Sequence, residues 1–360
     1  MYWEPLLQDI FFLLLYGGVI MLEVVAALYL LLRSGNAIAK EVNSPVRLRR
    51  WAAAFLLACA ISHISWFFGV CYPVAGDTTV SYWICCCLDV LLLLPTMMGT
   101  LLAMLQDRER PVWPFVAALV PVVAAFAIGI FLFDNNLWMP VSLYVLSHIV
   151  VFIVYLVLAV RRYGRWLRNN FADLEHKEIR FSMLVLSFFM LFVLLYAFAQ
   201  SRVAEYFLQV NDILIVCLLL WRIETLQQLS AEAPQVGVPA STPINLPANI
   251  GSLLEKHCEE GELYLQHDIT LEQLAHRIGT NRYYLSQYFA RQGLTYNAYI
   301  NELRIRHFIR LYHDAVATQR DITAHQLASE SGFHSYSTFS AAFKKSTGTT
   351  VTAWMHAPSE

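Results

Sequence analysis

Along the first 228 positions apolar residues come in long runs, and beyond about position 250 they come at helical spacing between polar residues. The runs cover residues 9–32, 51–71, 81–105, 112–133, 139–160, 179–200 and 206–221. An α-helix rises 1.5 Å per residue, so about 20 apolar residues cross a hydrocarbon layer of about 30 Å. The pattern therefore predicts seven membrane-spanning helices. The seventh is interrupted by Asn211 and Asp212 but is otherwise continuous to Trp221.

Lys and Arg distribute unevenly between these runs. Arg33, Lys40, Arg47, Arg49, Arg50, Arg108, Arg110, Arg161, Arg162, Arg165, Arg168, Lys177 and Arg180 lie in the first, third and fifth loops, whereas the alternate side has only Arg202. Cytoplasmic loops carry the excess of basic residues. The expected topology is a multi-pass protein of a bacterial inner membrane, N-terminus outside and C-terminus in the cytoplasm. No basic segment precedes the first run, so an uncleaved first helix is expected.

From residue 229 to 249 the pattern changes to Pro234, Pro239, Pro243 and Pro247 among small residues, which reads as an extended linker. It separates a membrane domain, residues 1–228, from an amphipathic tail, residues 250–360. The tail contains a repeat. Thr270, Gln273, Leu274, Ala275 and Gly279 recur as Thr323, Gln326, Leu327, Ala328 and Gly332, and Leu285, Ser286 and Phe289 recur as Phe339, Ser340 and Phe343. Thr-x-x-Gln is a capping box, Leu-Ala pairs a large with a small side chain where two helices approach, and glycine ends the first helix. Asn281 and Ser335 are expected to cap the second helices. Each copy reads as helix, turn, helix, and residues 294–314 read as one helix joining the copies. The predicted fold class is all-α: a seven-helix transmembrane bundle followed by two helix-turn-helix units joined by a long helix.

Composition supports the membrane half. The 360 residues are 58% hydrophobic and 14% charged, against about 45–50% and about 25% in soluble domains, which excludes disordered, collagenous and disulfide-scaffold classes. The formal charge of −2 averages unlike halves. Six acids lie between Glu255 and Glu272, while nine basic and five acidic residues occupy 273–360. A weakly basic reading surface makes few phosphate contacts, so binding as a homodimer or at clustered sites is expected.

The tail strongly resembles the DNA-binding domain of AraC-type transcription regulators. The residues that carry this are Leu274-Ala275, the segment GTNRYYLSQYF from Gly279, YINELRIR from Tyr299, Leu327-Ala328, Gly332-Phe333, and STFSAAFKKSTG from Ser337, ending near Trp354. The resemblance implies two units that read successive major-groove segments of double-stranded DNA in a sequence-specific way. By position it implies Arg282, Tyr283, Ser286 and Gln287 as base-facing in the first unit, and Tyr336, Ser337, Thr338 and Ser340 in the second, with Lys344 and Lys345 beside them. Gln pairs with adenine and Arg prefers guanine. The chain departs from the family's pattern at Ala341 and at Val351, where Pro is usual, so the second unit is expected to anchor the DNA backbone more than read bases.

Ionisable residues inside membrane helices are functional suspects: here Glu23, His63, Asp89, His148 and Asp212. Their other reading is mutual hydrogen bonding across helix interfaces. A haem held by His63 and His148 is less favoured than such bonds, and retinal is excluded because no Lys lies in a span to form a Schiff base. Cys71, Cys85, Cys86 and Cys87 cluster near the outer ends of two spans, where a disulfide, a soft-metal site or plain apolar packing are all open. His276 and His307 in the tail read as solvated or core-edge residues. No cofactor, metal site or catalytic signature is implied. The function expected is a one-component membrane-bound transcription regulator whose bundle senses an unknown small-molecule or envelope signal. The alternative is a membrane transporter or membrane enzyme with a regulatory DNA-binding tail.

Overall fold

The computed structural model describes residues 8–33, 35–40, 42–72, 78–132, 137–179, 183, 187, 201–229, 250–320 and 323–356. Among the described residues it is helical, with one isolated antiparallel bridge between Phe171 and Thr270. The chain divides into two compact units: Met1–Tyr163 with Ile179–Ser230, and Gly164–Glu178 with Ala231–Glu360.

The first unit contains α1 (Ile10–Leu32), α2 (Val46–Cys71), α3 (Thr78–Ala103), the short α4 (Trp113–Ala117), α5 (Val120–Leu132), most of α6 (Trp138–Asn170) and α7 (Arg202–Thr225). Among the described residues five helices are long and apolar enough to cross a membrane: α1, α2, α3, α6 and α7. This corrects the count of seven. The window at 112–133 is not one helix. Pro121 has no N–H to give and its ring collides with the carbonyl four residues back, so the chain turns at Ala118–Leu119, where the Leu119 N–H bonds Val116 O at 3.0 Å. The window at 179–200 lies almost wholly outside the described residues.

The long helices pack as small residues allow. Gly99 on α3 sits against the Trp51 ring of α2, and a Cβ there would overlap the indole. Such close approach is how helices associate in lipid, where apolar surface alone gives no preference for helix over lipid tail. Outward apolar faces remain exposed, among them Phe11, Leu14 and Met21 on α1 and Val150, Val151 and Val154 on α6. Where α1 and α7 end, Glu224 accepts hydrogen bonds from the Ile38 N–H (2.7 Å) and the Tyr29 hydroxyl. Asn36, Ser44 and Arg49 complete that buried network, so basic residues at the loop edge belong to the packing and not only to the surface.

In the second unit α8 (Ile250–Leu254) runs into a π-helical turn (Glu255–Glu259), followed by a 3-10 turn (Leu263–Leu265), α9 (Leu271–Arg277), α10 (Arg282–Arg291), α11 (Tyr296–Ala317), α12 (Ala324–Glu330), α13 (Tyr336–Thr347) and α14 (Val351–Met355). Two cores form. Leu274, Ala275, Leu285, Phe289, Ile300 and Leu303 fill the first, and Phe308, Leu327, Ala328, Phe333, Phe339 and Phe343 the second. α11 serves both, its first half in one and its second half in the other. At the changeover lies Arg304, 1% exposed. Its guanidinium donates to the carbonyls of Tyr264 (2.7 Å), Gln266 (2.8 Å) and His267 (3.1 Å) and lies 5.6 Å from the Phe333 ring centroid. Burial lowers its pKa to about 10, so it remains a cation at neutral pH.

Candidate nucleic-acid interface

Both helix-turn-helix units are built by the same local chemistry. Thr270 accepts from the Gln273 N–H while the Gln273 side chain accepts from the Thr270 N–H, and Thr323 and Gln326 repeat the exchange. Each first helix ends within a few residues at a glycine with positive φ, +74° at Gly279 and +86° at Gly332, a region that costs other L-residues about 1–2 kcal/mol. Asn281 and Ser335 then cap α10 and α13. At Gly332 a second constraint applies, because a Cβ would lie 2.8 Å from Leu265 Cα.

The reading helices place their named residues unequally. Tyr283, Ser286 and Gln287 lie partly exposed on α10, and Leu285 and Phe289 point into the core. On α13 Ser337 is exposed, while Tyr336, Thr338 and Ser340 are partly buried. Tyr336 stacks on His325 (5.5 Å between centroids, 11° between planes). The Ser337 and Thr338 hydroxyls lie 3.1 and 3.0 Å from the Ser335 hydroxyl. Three of the four residues in the second unit therefore already have partners. Lys344 and Lys345 are exposed in the last turn of α13, where the helix dipole favours cations. Val351 opens α14 behind the Thr350 cap and is buried. That first helical position is one Pro also suits, so the departure leaves the helix start intact.

Arg282 is half-buried. Its Nε and Nη2 donate to Asn170 Oδ1 at 3.0 and 2.6 Å, and burial lowers its pKa. Asn170 is the last residue of α6, and its own Nδ2 donates to Trp166 O at 2.6 Å. The segment after it packs on the first helix-turn-helix, within the same compact unit: Ala172 N–H bonds Ile269 O (3.4 Å), Asn297 Nδ2 bonds Ala172 O (2.5 Å), and Ala172 lies in the core with Ile269 and Tyr296. The Lys177–Asp268 pair at 3.5 Å is exposed on the Asp side and contributes little. Asn170 and Arg304 escaped the sequence reading. The one signal for the former is the apolar pair Phe171-Ala172 inside an otherwise basic loop.

His276 is exposed, and His307 Nδ1 lies 2.9 Å from both the Tyr264 hydroxyl and Arg310 Nη2. In the first unit Asp89 accepts from Ser62 Oγ (2.6 Å) and Trp66 Nε1 (2.8 Å). His148 is buried near Phe115, with centroids 6.2 Å apart, and its Nε2 has no partner. Cys71, Cys85, Cys86 and Cys87 are free thiols, with Cys85 Sγ 3.3 Å from Ser65 O. Glu23, His63 and Asp212 meet one another, and His148 is not part of that group.

A helix-turn-helix domain family matches residues 274–357, a span that takes in most of α9 and all of α10 to α14. No curated protein and no solved structure matches the chain. Residues 274–357 thus match a helix-turn-helix domain of the kind found in DNA-binding transcription regulators, in a chain whose described residues include five helices long and apolar enough to cross a membrane.

Proposed function

We propose that the chain is a membrane-anchored one-component transcription regulator of AraC type. Its helical bundle lies in the membrane with the N-terminus outside and the tail in the cytoplasm, and α10 and α13 enter successive major-groove segments of promoter DNA. The observation that carries this reading is the duplicated, identically capped helix-turn-helix in one chain with five helices of membrane-spanning length and apolarity. Base contact falls mainly to Arg282, Tyr283, Ser286 and Gln287, and backbone anchoring to the second unit with Lys344 and Lys345.

Control acts at two points. Asn170 competes with DNA for Arg282, so a signal that draws the Gly164–Glu178 segment away exposes the first reading helix. Signal-dependent pairing of two chains raises the concentration of one tail near another, which few phosphate contacts make necessary. The test is selection from a random duplex library by full-length protein in lipid nanodiscs, and by tails fused to a dimeriser. The expected result is one enriched motif, in which Arg282→Ala relaxes the preference at one base position. Absence of any preferred sequence in both formats sinks the reading.

A further inference from the structure

Three helices of the first unit converge on His63. Its Nδ1 lies 3.2 Å from Glu23 Oε2 of α1, and its Nε2 lies 3.3 Å from Asp212 Oδ2 of α7. One ligand atom from each of the three residues lies within 4.8 Å of the others. Glu23 is 1% exposed.

The protonation pattern around the ring is constrained from outside the cluster. His63 Nδ1 lies 3.0 Å from the Cys59 carbonyl oxygen, which only accepts, so Nδ1 carries a hydrogen directed there. Nε2 lies 3.3 Å from the Asp212 carboxylate oxygen, a spacing that is satisfied by a proton on the pair or by one metal ion bound to both atoms. Glu23 Oε2 is left without a hydrogen-bond donor. A second buried group, on α7, also lacks hydrogen-bond partners. Gln209 is 0% exposed, neither its Nε2 nor its Oε1 has a partner, and it precedes Asp212 by one turn on the same face of α7. Orphaned amide and carboxylate oxygens among apolar helices are costly if nothing satisfies them.

The geometry points to a divalent transition-metal site formed by Glu23, His63 and Asp212. A dication balances two carboxylates with a neutral imidazole. One nitrogen and two oxygens suit the zinc and manganese class, whereas copper(I) favours thiolates and thioethers. The Nδ1–H bond to a backbone carbonyl is the arrangement that orients a metal-ligating histidine. The ion joins α1, α2 and α7, and α7 is the helix from which the chain leaves for the tail. Metal binding stands on this unit alone. Its use as the regulatory signal rests on the function proposed above.

The test uses the full chain in nanodiscs without DNA, stripped with chelator and titrated with Zn²⁺ by equilibrium binding, then with Co²⁺ as a visible-absorption probe. The comparison is with Glu23→Gln, His63→Gln and Asp212→Asn, and with Asp89→Asn as a control acid outside the site. The expected result is one Zn²⁺ weakened about a hundredfold or more in each of the three variants and retained in Asp89→Asn, above the unchanged background from the tail histidines. His63→Cys keeps a ligand and covers the case in which a variant fails to fold: it is expected to add a thiolate-to-cobalt absorption band. Equal Zn²⁺ uptake by wild type and His63→Gln, no thiolate band in His63→Cys, or a stability that responds to pH and not to metal would each overturn the site and leave a proton-closed ion triad.

Discussion

Arg282 gives two hydrogen bonds, at 3.0 and 2.6 Å, to the one side-chain oxygen of Asn170. The side chain best suited to guanine in the first reading helix is thereby held by the terminal residue of a helix whose apolar stretch is a candidate membrane span.

Asn170→Ala removes this competitor. A charge-assisted bond on a half-exposed group is worth about 1 kcal/mol after solvent screening, so the variant is expected to bind its DNA about fivefold more tightly. Arg282→Ala is expected to weaken binding about tenfold or more and to relax preference at one base position. Fluorescence anisotropy with matched and single-substituted duplexes reads both, and an Asn170→Ala affinity equal to wild type would remove the contact from the mechanism.

The two turn glycines separate a local cost from a tertiary one. Gly279→Ala meets no atom within 4 Å and is expected to cost about 1 kcal/mol, the left-handed penalty alone. Gly332→Ala adds a collision with the Leu265 backbone at 2.8–2.9 Å and is expected to cost about 3 kcal/mol or more. Denaturant midpoints of the two variants check the order.

Arg304→Met leaves the carbonyls of Tyr264, Gln266 and His267 without their donor. Loss of this buried charged donor is expected to cost about 3 kcal/mol, and Arg304→Lys, which keeps the charge without the fork, is expected to lose less. Hydrogen exchange in full-length protein should show faster exchange in both halves of α11, because the guanidinium touches the loop Tyr264–His267 beside the first helix-turn-helix and Phe333 of the second. Loss of protection confined to one half would contradict that linking role.

His307 Nδ1 receives a hydrogen bond from Arg310, so the folded ring is neutral there. Burial, with Arg310 close by, lowers its pKa below the ordinary value near 6.5. The unfolded chain therefore takes up a proton at a higher pH than the folded one, and stability falls as pH drops through about 6.5 toward the folded value. His307→Gln is expected to flatten this part of the stability curve. Unfolding midpoints measured between pH 7.5 and pH 5 for both proteins supply the comparison, and parallel curves would assign the dependence to other groups.

What the sequence revealed followed how local each signal is. The capping boxes, the caps Asn281 and Ser335, the glycine turns and the joining helix involve neighbours within four residues, and they are found where the spacing places them. Hydropathy windows missed what composition does not encode. Pro121 breaks a run whose apolar content is unchanged. α2 begins at Val46 because Arg49 finds partners in Leu30 O and Asn36, although its charge ended the predicted window at 51. α6 runs on past Arg161 and Arg168 to Asn170 for a different reason: a helix end tolerates solvent-facing charge that a hydropathy window rejects. The meeting of Glu23, His63 and Asp212, and of Asn170 with Arg282, depends on tertiary folding across long sequence separations, and no periodicity announces it.

The 22 residues of α11 at 1.5 Å each make a rod about 33 Å long, near the 34–36 Å pitch of B-form DNA. With one helix-turn-helix packed on each half and, under the function proposed above, one reader on each, it would work as a ruler. Inserting half a helical turn of base pairs between the two contacts would rotate one of them to the far side of the duplex, and a stiff spacer has no slack with which to follow.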